Sequence, residues 1–255
     1  MSTQTRRPLR EFIPDAAVSN SYVIFAESIA TLIVVWLFLA EGLNLAETIS
    51  SPILVGAAFY ELMVSMEWVE HLSATLRRTI YGFVITMVVG TVLGLVMGMS
   101  DFWEEALQDY VIIGLALPAL FAAVFAAMWF GVSDTTPMVA AAVISFPFLT
   151  QSVYKAAKDI DAGLIQMTRA FDVSRPRMIK RVIVQSILPA WFGGSRYAFS
   201  ICWKITTLAE LVAASNGIGF MIERQLELRS MTGMIVWTLL FTLVIIIFEY
   251  GILQQ

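Results

Sequence analysis

The sequence contains very few of the residues from which metal sites and disulfides are built. It has one cysteine, Cys202, and one histidine, His71, in 255 residues. A single cysteine excludes an intramolecular disulfide and a paired-cysteine metal knuckle. One histidine likewise excludes a histidine-rich metal site. Both side chains are therefore expected to pack in the interior, and no metal is expected in this chain.

Charge is also scarce. Asp, Glu, Lys and Arg make up 14% of the residues and hydrophobic residues 58%, with a mean hydropathy of +0.78. A soluble domain carries about 25% charged residues, so a lipid bilayer must form part of the solvent of this chain. The net charge of −4, with no basic arm, argues against a nucleic-acid partner. The sequence has no GxxxxGK[ST] phosphate loop, so no ATP or other cofactor is expected in the chain itself.

Apolar runs of spanning length predict an all-α, polytopic membrane protein. A spanning helix needs roughly 20 mostly apolar residues. Six such spans are predicted, at about residues 22–40, 79–99, 111–130, 138–153, 183–207 and 231–250. Residues 52–68 predict an amphipathic interfacial helix or, as an alternative, a poor span. The chain therefore divides into a polar lead (1–20), a first span with an extracytoplasmic segment (21–73) and a main transmembrane domain (74–255).

The distribution of basic residues predicts the orientation. With six spans, one side of the membrane holds both termini and ten of the 16 basic residues, and basic residues collect in cytoplasmic loops. We therefore expect an inner-membrane protein with both termini and loop 154–181 in the cytoplasm. Loop 100–109 is an exception, because on this scheme it is cytoplasmic but carries only acidic charges.

The loop between the fourth and fifth spans is the most informative polar segment. Residues 162–171 predict a short helix that Val173–Pro176 ends. A short amphipathic helix at the membrane face suits a groove on a soluble partner. An ordinary basic loop beside lipid headgroups explains the composition equally simply.

The fifth predicted span carries a polar face. The helical spacing of its polar residues indicates a translocation path that favours a small anionic solute, and the candidates are Arg196, Ser200, Lys204 and Thr207. The competing interpretation is that Arg196 pairs with Glu27 or Glu249, while Lys204 reaches the outer interface. The sequence does not decide between the two. Prolines 118, 147 and 189 predict bends within three spans.

Several motifs recur in order from His71 to Tyr250: Thr75-Leu76-Arg77, the glycines 90, 94 and 98, Trp129-Phe130-Gly131, Ala209-Glu210-Leu211 and Ser215-Asn216-Gly217-Ile218-Gly219. In this order they resemble the permeases of ATP-binding-cassette (ABC) importers of the nitrate, sulfonate and taurine class. The resemblance implies a type I importer permease fold. It also implies three kinds of partner: a cytoplasmic ATPase dimer that binds ATP and magnesium, a second permease copy or a related permease, and an extracytoplasmic solute-binding protein.

The resemblance also implies a coupling helix near residues 162–176, in a motif Glu-Ala-Ala-x3-Gly-x9-Ile-x-Leu-Pro. Here Gln166, Met167 and Thr168 occupy its first three positions and Asp172 replaces the glycine, a position where φ is expected to be positive. The predicted ATPase-coupling residues are Leu164, Ile165, Gln166, Met167, Thr168, Phe171, Asp172 and Arg175. Two alternatives to an importer permease remain: a secondary transporter, for which no internal repeat is found, and a membrane-embedded enzyme, which needs clustered catalytic side chains.

Overall fold

The computed structural model describes residues 21–43 and 49–251, and within them the chain is helical without strands. The predicted lead (1–20) lies outside the described residues. The helices are α1 (Ser21–Leu37), α2 (Pro52–Ser65), α3 (Glu67–Met99), α4 (Asp101–Ala116), α5 (Ala119–Phe130), α6 (Thr135–Lys158), α7 (Ala162–Ala170), α8 (Arg175–Met178), α9 (Val184–Ala213), α10 (Ile218–Glu227) and α11 (Met231–Gly251). Single π-helical turns follow α1 (Phe38–Gly42) and join α8 to α9 (Ile179–Ile183).

The described residues form two compact units, divided after Ala57. In the first, the indole of Trp36 donates a hydrogen bond to the Ser50 carbonyl over 3.0 Å, and the Ser51 hydroxyl donates one to the Glu41 carboxylate over 2.7 Å. These bonds tie Ser50 and Ser51 to the end of α1 and to the π-helical turn after it. From Ile24 to Val35 the side chains of α1 are exposed, and most of them are apolar, as expected of a helix that lipid surrounds.

The core of the second unit is formed where α3, α6 and α9 pack together. The glycine stripe of α3 faces α6: a Cβ at Gly94 would lie 2.7 Å from the Val153 Cβ, and one at Gly98 would lie 2.4 Å from the Ala157 Cβ. Small residues allow such close backbone approach in lipid, where apolar burial does not hold helices together. Glycine is therefore required for this packing, as the sequence predicted.

Two predicted elements need correction. The third predicted span (111–130) is not one helix, because α4 and α5 meet at 100°. Leu117 and Pro118 are extended at the break, since proline lacks an N–H group and disfavours a helical residue before it. Pro147 and Pro189, in contrast, lie within continuous helices. Residues 52–65 do form a helix, but its own apolar side chains are not confined to one side, so it is not amphipathic.

Within residues 21–43 and 49–251, four helices are long and apolar enough to cross a membrane, or six if the bent pairs α4–α5 and α8–α10 each form one span. The predicted six-span reading therefore depends on the two bent pairs. The predicted fourth, fifth and sixth spans correspond to α6, α9 and α11, and each helix ends later than predicted.

Candidate functional site

The predicted coupling segment contains a short helix and a tight turn. The carboxylate of Asp161 accepts a hydrogen bond from the Gly163 amide over 2.7 Å and so caps the start of α7. After α7, Asp172 adopts φ 49°, the positive value expected at the glycine position, and the Val173 amide bonds back to the Thr168 carbonyl over 2.9 Å. Pro176 then lies in the first turn of α8, where a backbone N–H group would have no partner within the helix, so proline loses no hydrogen bond there.

Only some of the predicted coupling residues form the exposed apolar face of this segment. Leu164, Met167 and Phe171 are exposed at helical spacing, and Phe171 leaves 75% of its surface open. Ile165 is half-buried, and Thr168 is buried with its hydroxyl bonded to the Ile165 carbonyl over 2.8 Å. Gln166, Asp172 and Arg175 are exposed as well. We call the surface of Leu164, Met167 and Phe171 the apolar knob.

The predicted polar face of α9 is only partly assembled. Arg196 donates a hydrogen bond from Nη2 to Oε1 of Glu249 on α11 over 3.2 Å, and Ser200 Oγ donates to the other oxygen, Oε2, over 2.9 Å. Lys204 is exposed about one turn after Ser200 on α9. Thr207 is not part of this cluster, because it is buried and its hydroxyl donates to the carbonyl of Trp203. Of the two partners proposed for Arg196, the structure pairs it with Glu249.

A second polar cluster lies at the opposite end of α9 from the coupling segment. His71, Thr75 and Arg78 occupy one face of α3 at positions i, i+4 and i+7. Their partners are Asp134, which precedes α6, Glu210 near the end of α9, and residues 216–219, where α10 begins. We call this set of side chains the buried clamp.

Arg78 is the centre of the buried clamp. Its Nη1 donates to Glu210 Oε1 over 2.8 Å and to the Asn216 carbonyl over 2.7 Å. Its Nη2 donates to Asn216 Oδ1 over 2.5 Å and to Asp134, and its Nε donates to Asp134 over 2.9 Å. These bonds use all five guanidinium N–H groups. The side chain is 1% exposed and that of Glu210 is fully buried, so every charged atom of the pair is compensated within the protein.

The remaining bonds of the clamp hold the backbone at the start of α10. Glu210 Oε2 accepts from the Thr75 hydroxyl over 2.8 Å and from the Gly219 amide over 3.1 Å. The amides of Gly217 and Ile218 donate to His71 Nδ1 and Thr75 Oγ1 over 3.1 and 2.8 Å. Gly217 has φ 115°, and a Cβ there would lie 2.5 Å from the Glu210 carboxylate. His71 therefore does more than pack, since it orients this turn.

Asp134 is the part of the clamp that solvent reaches. Its Oδ2 accepts a hydrogen bond from Arg77 over 2.6 Å, and the side chain is 47% exposed. The hydrogen bonds from Arg78, supported by the charges of both arginines, hold the pKa of the Asp134 carboxyl below its ordinary value against a smaller opposing effect of burial.

The sequence reasoning missed the clamp because it placed Arg78, together with Arg77, just before the predicted second span and counted both only as basic residues of the extracytoplasmic side. The structure corrects this for Arg78 only. The usable signal was the spacing of His71, Thr75 and Arg78 on one helix face, together with a glutamate, Glu210, beside an apolar span.

A family model described as "Binding-protein-dependent transport system inner membrane component" matches residues 90–254. The chain belongs to this family. It is a polytopic membrane permease of the ABC importer type, as the sequence resemblance indicated. The match covers the core helices α6 and α9, the coupling segment and α11.

Individual relatives agree with this assignment. The chain is 26% identical over 194 residues to the putative aliphatic sulfonates transport permease protein SsuC of Bacillus subtilis (strain 168), covering 76% of this chain and 70% of the relative. It is 27% identical to the Escherichia coli (strain K12) protein of the same name, covering 83% and 81%. It is also 27% identical to the riboflavin transport system permease protein RibX of Chloroflexus aurantiacus (strain ATCC 29366 / DSM 635 / J-10-fl), covering 76% and 74%.

The fold agrees as well. A chain of the MetNI methionine ABC transporter, solved in inward-facing conformations, superimposes with a TM-score of 0.65 at 18% identity, covering 73% of this chain and 94% of that chain. The permease therefore has the type I ABC importer fold.

Proposed function

We propose that this permease couples to a cytoplasmic ATPase dimer through the segment at 162–176 and forms a translocation path for a small anionic solute. ATP and magnesium are bound by the ATPase subunits. The complex further contains a second permease, either a copy of this chain or a related one, and an extracytoplasmic solute-binding protein. In this arrangement both termini of the chain are cytoplasmic.

The observation that carries the coupling proposal is the apolar knob. Leu164 and Met167 are exposed on a helix of only nine residues, and Phe171 is exposed directly after it. Such a face is stabilised by burial in a groove on a soluble partner. The turn at Asp172 and the helix start at Pro176 then connect the knob directly, through the π-helical turn, to α9. Closure of the ATPase dimer would therefore move the helix that carries Arg196 and Lys204.

The anionic solute is supported by two independent features. The polar face of α9 and α11 carries two cations, Arg196 and Lys204, and one anion, Glu249. Two of the relatives above are named for aliphatic sulfonates, which are anions. The relative named for riboflavin shows that the family name alone does not fix the solute, so the argument for an anion depends mainly on the charges of this chain.

The coupling proposal is tested by Phe171→Asp in the chain expressed with its native operon partners. Full burial of a phenylalanine contributes roughly 2–3 kcal/mol, so losing it and placing a charge in the groove should weaken ATPase binding by more than about tenfold. The ATPase that co-purifies in detergent and the ATP hydrolysis it supports are measured. The matched control is Phe102→Asp, because Phe102 is a comparably exposed aromatic residue on the other loop predicted to be cytoplasmic.

Equal recovery of ATPase with both variants would contradict the proposed contact. Solute uptake by the purified chain on an ion gradient, with no ATPase present, would instead support a secondary transporter and overturn the proposed function as a whole.

A further inference from the structure

The carboxylate of Glu249 accepts hydrogen bonds from two polar side chains of α9. One oxygen accepts from Arg196 and the other from Ser200, over 3.2 and 2.9 Å. The guanidinium and the hydroxyl are thus arranged around one two-oxygen anion. A carboxylate or sulfonate group on a solute presents the same pair of acceptor oxygens on one central atom.

The pair is open to its surroundings. The side chains of Arg196 and Glu249 are each 36% exposed, although Arg196 lies near the middle of α9 and Glu249 lies on the apolar helix α11. A charge inside a membrane is expensive unless it faces water, a polar cavity or a partner. The open side of this pair therefore requires a polar environment within the assembled importer.

The hydrogen-bonding capacity of the cluster is unfilled. Within residues 21–43 and 49–251, Arg196 uses one of its five N–H groups, and the exposed Lys204 has no hydrogen bond or ion pair. Two cations face one anion, which leaves one positive charge without a counter-ion. The cluster therefore has donors and charge available for one further anion.

We propose that Glu249 is the internal counter-anion of the translocation path, and that a solute carboxylate or sulfonate crosses by replacing it on Arg196 and Ser200 while Lys204 balances the added charge. Glu249 then determines specificity. It keeps the site from binding anions too tightly to release them, because it returns to Arg196 as the solute leaves. This inference rests on the proposed function, since it needs α9 to line the path.

The experiment measures charge-selective labelling of a cysteine at position 200. The single native cysteine, Cys202, is buried and is replaced by serine to give a clean background. Ser200→Cys is introduced in the complete importer in membranes and treated with two methanethiosulfonate reagents of similar size, one bearing a sulfonate and one a trimethylammonium group. The ratio of their rates is measured with and without Glu249→Gln. The ratio is used because a change in thiol reactivity affects both reagents equally.

The anionic reagent is expected to react faster, and Glu249→Gln should raise the anionic-to-cationic ratio by roughly tenfold, because one nearby negative charge is removed. Val88→Cys on α3 is the control: Val88 is an exposed apolar residue, and in lipid its thiol should react with neither reagent. A Ser200→Cys thiol that is inaccessible to both reagents, or a ratio unchanged by Glu249→Gln, overturns the inference.

The failure of the inference and of the proposed function are separable in the same membranes. If ATPase binding depends on Phe171 but the cysteine at position 200 is inaccessible, the importer function stands and the role of Glu249 fails. If the chain transports without an ATPase, the proposed function fails, whatever the labelling ratio shows.

Discussion

Among the described residues, the spanning helices of the permease carry two pairs of arginine and glutamate, and the pairs differ in their burial and in how many hydrogen bonds they make. In the buried clamp, Arg78 and Glu210 are shielded from solvent and their bonds involve α3, α9 and the turn before α10. In the α9–α11 pair, Arg196 and Glu249 are a third exposed, and within the described part of the chain one further side chain joins them, Ser200, which donates to Glu249. The N···O distance is 2.8 Å in the first pair and 3.2 Å in the second.

The difference separates a structural ion pair from one that is able to change partners. Arg78 has no free N–H group, so another ligand could bind it only by displacing a protein group that already accepts its hydrogen bond. Arg196 has free donors, and a ligand is able to bind before Glu249 leaves. Because the Arg78–Glu210 pair is buried and all N–H groups of Arg78 are bonded, we assign the clamp a structural role. The exposed Arg196–Glu249 pair is the one that is able to take part in transport. The following predictions test this contrast.

The largest effect is expected from Arg78→Met. Removing one member of a buried pair leaves the other charge uncompensated, at a cost of about 3–5 kcal/mol. Here it would also leave the Asn216 carbonyl without its donor. We expect low membrane yield and a strongly lowered Tm in detergent. The double variant Arg78→Met/Glu210→Met should recover part of the loss, because it removes the stranded carboxylate. A Tm near that of the parent for Arg78→Met alone would show that the clamp is not the structural element described.

Arg196→Met should have a much smaller effect on stability. The pair is about a third exposed, and such ion pairs contribute about 0–1 kcal/mol. Tm should therefore fall little, while ATP-dependent uptake of an anionic solute should fall about tenfold or more if Arg196 contacts the solute. Lowered Tm with unchanged uptake would assign the pair to packing and end the contrast with the clamp.

The sequence was sufficient for features that depend on local pattern. The apolar runs located the helices α6, α9 and α11, and the glycine stripe of α3 correctly indicated packing, because small residues at i+4 spacing have few other uses in lipid. Val173–Pro176 correctly marked the end of α7, since proline and its preceding residue restrict the backbone.

The features that were missed depend on distant partners. Arg77 and Arg78 are identical in type and adjacent in sequence, but a helix points them about 100° apart. Only the position of Glu210, 132 residues away, makes the second one buried. Pro118 marked where the third span would bend, but the 100° angle depends on how α5 packs against α6 and α9. The direction of a break is therefore not a property of the proline alone.

The smallest predicted effect concerns the exposed part of the clamp and is a pH dependence. Because the pKa of Asp134 is lowered in the folded protein, its contribution to stability is complete above the pKa of the unfolded chain, about 3.9. The contribution is lost as the pH falls through the lower, folded value. It should be below about 1 kcal/mol, because the side chain is half-exposed and screened. Asp134→Asn should therefore lower Tm slightly and by a constant amount above pH 5, and this difference should shrink below pH 4.

Arg77→Gln, which removes only the exposed arginine, should lower Tm less than Asp134→Asn at neutral pH. If Tm of the Asn variant instead diverges further from the parent in acid, Asp134 is not stabilised as a carboxylate, and the exposed part of the clamp does not depend on its charge.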